Sequence, residues 1–118
     1  MSRRTDRVAS LIQVVIGEIL QKKLKDPRLG FVTVTGVDLT PDLKLARVFY
    51  TVLGKESQKG NTQRALENAA GFLQRGVAEE LKLRFTPKLS FHFDGAFEEG
   101  MRIERILGEL HREEKKNQ

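Results

Sequence analysis

Cysteine is absent from this chain. That excludes disulfides and thiolate metal sites, and it is compatible with a reducing compartment. Histidine is nearly absent too. His92 and His111 stand alone, and two histidines without cysteine make no zinc site. No Walker or Rossmann glycine pattern occurs, and no apolar run approaches the roughly 20 residues that cross a bilayer. The opening "MSRRTDRVAS" lacks the apolar core of a secretory signal. A cytoplasmic protein is the simplest expectation, without metal, cofactor, membrane or small-molecule substrate.

Positive charge is in excess. Lys and Arg total 21 against 16 Asp and Glu, a net charge of +5 with a pI near 9.7. Such a balance favours a polyanionic partner, nucleic acid before an anionic membrane. A length of 118 residues suits one domain with a modest core. We expect that domain to span 1–118, with its core over about 5–110 and a charged tail over 111–118.

Val8, Leu11, Ile12, Val15, Ile19 and Leu20 recur at helical steps, with Thr5 or Asp6 as candidate caps and Pro27 as the stop. "FVTVTGVDL", "TPDL" and "KLARVFYTVL" read as strand, turn and strand, an antiparallel hairpin. A polar loop "GKESQKGN" precedes a helical region, capped by Asn61 or Thr62. In "KLSFHF", Leu89, Phe91 and Phe93 alternate with Ser90 and His92, with Asp94 next on the second face, a strand with one buried face. Ile103, Ile106, Leu107 and Leu110 mark a short C-terminal helix before a frayed "HREEKKNQ". The strands flanking the helical region should lie parallel, which gives an α+β sandwich: a three-stranded mixed sheet with helices on one face.

Gly71 and Gly76 interrupt the helical region, each costing roughly 1 kcal/mol against Ala. The stripe Leu66, Ala69, Leu73, Val77 and Leu81 nevertheless keeps its phase through Ala69-Ala70-Gly71. Preserved phase predicts two stacked segments meeting at a kink; one long helix that tolerates its glycines is the alternative.

The order resembles a type II KH arrangement, α-β-β-α-kink-α-β. The GXXG that clamps phosphates in most KH domains is missing, and "AAG" (Ala69, Ala70, Gly71) stands in its place. An Ala-x-Gly at this junction is similar to the bacterial ribosome-binding factor A family. The stretch from "RVASLIQVV" through "DPRLG" to "FYTVLG" resembles that family's first helix, turn and hairpin, and "LKLRFTPKLSFHFDGAFEEGMRIERIL" its last strand and following segment. The resemblance covers about residues 5–110. Ala96 departs from it, because relatives often carry Ser there. The resemblance implies a non-catalytic factor for ribosome biogenesis that binds the small (30S) ribosomal subunit and assists late processing of 16S rRNA. Some members matter most for growth in the cold.

The candidate RNA contacts are Arg64, Arg75, Lys82 and Arg84, which border the junction, then Lys88, Arg102, Arg105 and Arg28. Arg75 and Lys82, seven apart, would share a helix face; Arg28 in "DPR" could equally fix a turn. Phosphate contacts of this kind set affinity and salt dependence, not sequence preference. Phe91 and Phe93 are expected in the core, as is Phe72, so aromatic stacking adds little. His92 and Asp94 could touch, but no nucleophile spacing accompanies them, so no catalysis is expected. The remaining readings are a generic single-stranded RNA-binding KH module and a protein that meets ribosomal proteins through its hairpin. A monomer is expected in each case.

Overall fold

The structure is a computed structural model that describes residues 3–22, 31–53 and 56–116. Helix α1 (Arg3–Lys22) leads into strands β1 (Phe31–Leu39) and β2 (Leu45–Leu53), followed by α2 (Glu56–Leu81), β3 (Lys88–Phe93) and α3 (Gly95–Lys116). The sheet order is β1-β2-β3, antiparallel in the first pair and parallel in the second. The α+β class, the mixed sheet and the hairpin match expectation.

The core lies between one sheet face and helices α1 and α2. Ala46, Val48, Tyr50 and Val52 point inward from β2, Leu89 and Phe91 from β3. They meet Ile12, Ile16 and Ile19 of α1 and Leu66, Leu73 and Val77 of α2. Each such aliphatic side chain contributes about 1.5–3 kcal/mol when fully removed from water. Alternation in the strands and steps of three or four in the helices put these residues on facing surfaces.

The hairpin turn is held by its own polar groups. Thr40 Oγ1 donates to Asp42 Oδ1 at 2.7 Å, and that carboxylate oxygen also accepts from the Lys44 N–H at 3.1 Å. The Thr40 N–H donates to Leu45 O at 3.0 Å, and Leu43 closes the turn with φ 62°. In β1 the register slips between Val34 and Gly36, leaving Thr35 as a bulge. Its hydroxyl donates to Asp94 Oδ2 at 2.7 Å, which ties this strand to the residue before α3.

Several expectations are corrected. α1 begins at Arg3, and Thr5 is a buried residue of its core face instead of its cap; Leu11 faces outward. α2 starts at Glu56, so Thr62 lies buried inside the helix. Where two segments were expected to meet, one helix runs through Ala69-Ala70-Gly71 without interruption. The packing of the Leu66-Leu73-Val77 stripe reaches across the glycine and outweighs its intrinsic cost. The C-terminal helix is long, 22 residues, and takes in most of the tail expected to fray. Ile103 and Leu107 on it remain 50% and 59% exposed, so the core does not reach the apolar residues described over 103–110. The stop at Pro27 and the turn around Arg28 lie outside the described residues.

Candidate nucleic-acid interface

Helix α2 is fixed to the sheet by a polar clamp beneath its first half. The Tyr50 hydroxyl donates to Gln63 Oε1, while Gln63 Nε2 donates to Phe91 O at 2.9 Å and to Glu67 Oε1 at 2.9 Å. One side chain thus joins β2, β3 and α2 and sets the helix's rotation. Burial, with the Glu67 carboxylate second, raises the Tyr50 phenol above its ordinary value. The neutral hydroxyl is therefore the form the clamp holds.

That rotation turns Arg64, Asn68, Gly71, Phe72 and Arg75 to solvent. Steps of four, three and four residues place Arg64, Asn68, Gly71 and Arg75 along one line of the helix. Phe72, expected in the core, is 42% exposed beside them. A Cβ added to Gly71 would meet only the end of the Arg75 guanidinium, at 3.8 Å. The fold therefore does not need a glycine at this position. Gly76 differs: its Cβ would fall 2.4 Å from Ile19 Cδ1, so the missing side chain lets α1 approach α2.

Lys82 does not share the Arg75 face. It stands one residue past the helix with φ 49°, and its N–H donates to Ala78 O at 2.9 Å, a left-handed C-terminal cap. Left-handed geometry turns its side chain off the helical phase. Arg84 follows in the loop into β3, and the exposed Lys88 is the first residue of that strand. The Arg84 guanidinium lies over the Phe85 ring, 5.5 Å from its centroid. Phe85 is 77% exposed, and sequence reasoning passed over it. The available signal was its place in "RFTP", outside the phase of both the helix and the following strand. Arg102 and Arg105 are exposed on α3, a separate element.

His92 and Asp94 each engage other groups. His92 Nε2 is hydrogen-bonded to Ser90 Oγ at 2.8 Å, and its ring stands 5.7 Å from that of Phe49. Asp94 lies past the strand end, where its N–H donates to Tyr50 O at 2.7 Å. Among the described residues no three His, Cys, Asp or Glu gather in a way that could hold a metal ion. Nor is any described helix long and apolar enough to cross a membrane.

The result is an α+β protein in which Arg64 and Arg75 share one helix face. Lys82 and Arg84 follow in the loop after it, Lys88 opens β3, and Arg102 and Arg105 stand apart on α3. The family model described as ribosome-binding factor A matches residues 4–107. Ribosome-binding factor A of Geobacter metallireducens is 43% identical over 97% of each chain. The crystal structure of the factor from Thermus thermophilus superposes with a TM-score of 0.66 at 28% identity, covering 75% of this chain and 93% of that one. A homology model of the Thermus thermophilus factor, fitted into a cryo-EM map of a 30S–factor complex, superposes equally well, with a TM-score of 0.66 at 28% identity, covering 77% and 96%. The chain belongs to the ribosome-binding factor A family.

Proposed function

We propose that this chain is a non-catalytic ribosome biogenesis factor of the cytoplasm. It binds the small ribosomal subunit as a monomeric KH-like domain and assists late maturation of 16S rRNA. The observation that carries this reading is kinship with a factor fitted into a 30S complex. The α2 face supplies the chemistry. Arg64 and Arg75 meet phosphates, and the bare backbone at Gly71 lets an RNA strand come close. Lys82, Arg84 and Lys88 extend the positive surface beyond the helix end, Arg102 and Arg105 add contacts from α3, and Arg28 is a further proposed contact.

Co-sedimentation with ribosomal particles at low and moderate salt tests the proposal. The wild type should travel with free small subunits, less so as salt rises. Arg64→Glu with Arg75→Glu should release it, and each lost phosphate contact should flatten the salt slope by about one. Tight binding to short RNA oligomers but not to subunits would favour a generic RNA module instead. Absence from every ribosomal fraction at low salt would sink the proposal.

A further inference from the structure

The loop between α2 and β3 holds a large aromatic side chain away from the protein. Its near end is anchored by the Lys82 N–H on Ala78 O at 2.9 Å, its far end by the Lys88 N–H on Lys44 O at 2.9 Å. Pro87 between them is fully buried. A loop fixed at both ends gives the Phe85 ring little choice of position. Yet the ring stays 77% exposed, when turning inward would gain roughly 2 kcal/mol of hydrophobic burial. Single exposed Leu or Val residues call for no explanation, but a nearly bare Phe on an anchored loop does.

The surroundings indicate the partner. Arg84 already lies on the ring at 5.5 Å, and Lys82 and Lys88 flank it in sequence. The backbone bond to Lys44 brings a fourth cation to the same end of the molecule. Of the nearby carboxylates, one is held by its own turn and two lie along another groove. Asp42 accepts from Thr40 and Lys44, and Glu79 and Glu80 line the groove between α1 and α2. An aromatic face ringed by cations fits a nucleobase with its phosphates better than an apolar protein pocket.

We propose that Phe85 is a base-stacking residue. It takes one unpaired RNA base on its ring, while Arg84, Lys82 and Lys88 hold the adjoining phosphates. This rests on the RNA-binding reading above and adds a stacking contact, Phe85, to the loop end of that surface, apart from the α2 face. Stacking needs an unstacked base, so the loop recognises single-stranded RNA and passes over duplex.

The chain has no tryptophan, so Phe85→Trp installs a single indole at the site. Titration with small subunits, and separately with a single-stranded RNA 20-mer, should quench its emission by about half without a blue shift. A duplex 20-mer should leave it unchanged. Phe85→Leu should bind roughly tenfold more weakly than wild type, and Phe85→Tyr about equally. Unaltered circular dichroism of these variants would show that the fold is intact. Unquenched emission from protein that co-sediments with subunits would overturn the proposal, as would wild-type affinity in Phe85→Leu. A blue-shifted, brighter indole would replace RNA with an apolar protein pocket. If the wild type fails to co-sediment, the ribosomal reading falls, and the 20-mer titrations alone decide the stacking role.

Discussion

Gly76 and Ile19 touch where α2 crosses α1: a Cβ on the glycine would lie 2.4 Å from the isoleucine Cδ1. Gly71, five residues earlier in the same helix, has no such neighbour. The two glycines should therefore respond oppositely to alanine. Gly71→Ala should raise stability by about 1 kcal/mol, the helix-propensity difference. Gly76→Ala should lower it by about 1 kcal/mol, overpacking exceeding the same gain. In an Ile19→Val background, which removes the clashing methyl, Gly76→Ala should become stabilising. Urea unfolding of the double-mutant cycle reads the change of sign.

Lys82 gives a case in which stability and binding move apart. It caps α2 at φ 49°, a geometry that glycine adopts freely. Lys82→Gly should add about 1 kcal/mol of stability by relieving left-handed strain. It should also weaken subunit binding by removing a cation. Thermal unfolding and co-sedimentation of the one variant check both directions.

The Tyr50 clamp predicts an alkaline weakness. Its phenol titrates above the ordinary value of 10.0 in the fold, so the unfolded chain releases this proton first. Stability is fully present below that value and is lost as pH rises through the folded-state value. Tyr50→Phe should remove this part of the alkaline slope. At neutral pH it should cost about 1 kcal/mol, because Gln63 Oε1 loses its donor. Unfolding curves at about pH 8 and about pH 11 compare the two proteins.

On α3 the side chains of Ile103, Ile106, Leu107 and Leu110 carry little of the fold. Ile103→Gln and Leu110→Gln should each change stability by less than about 0.5 kcal/mol, since both residues already meet water. Leu73→Ala in α2, where the side chain is fully buried, should cost about 2–5 kcal/mol. Denaturant midpoints of the three variants separate the cases.

The strands were legible because alternation in "KLSFHF" and turn chemistry in "TPDL" are local signals. Their parallel and antiparallel pairing followed from chain order and connection length. Helix ends were not legible. Thr5 and Thr62 look like caps by residue type, but tertiary burial claims both hydroxyl-bearing side chains. The two segments expected to meet at a kink by Gly71 form one helix for a related reason, since packing of Leu66, Leu73 and Val77 holds the helix together across it. Arg64 and Arg75 could be placed on one face by counting. Phe72 and Phe85 could not, because an apolar residue's exposure depends on whether some other element arrives to cover it. Lys82 lost its expected place to a backbone angle that no spacing rule registers.

Leu45 faces Lys88 in the parallel pair, with all of α2 lying between them in sequence. The antiparallel pair needs only the short segment Thr40–Lys44 to close. Hairpins close in about 1–10 μs, whereas a strand that must wait for a long crossover joins late. β1 and β2 should thus zip first, and β3 should add only once α2 has shortened the path back to the hairpin turn. On this order Gly71→Ala hastens refolding more than it delays unfolding. The exposed glycine would then slow the making of the protein as well as slightly weakening the finished one.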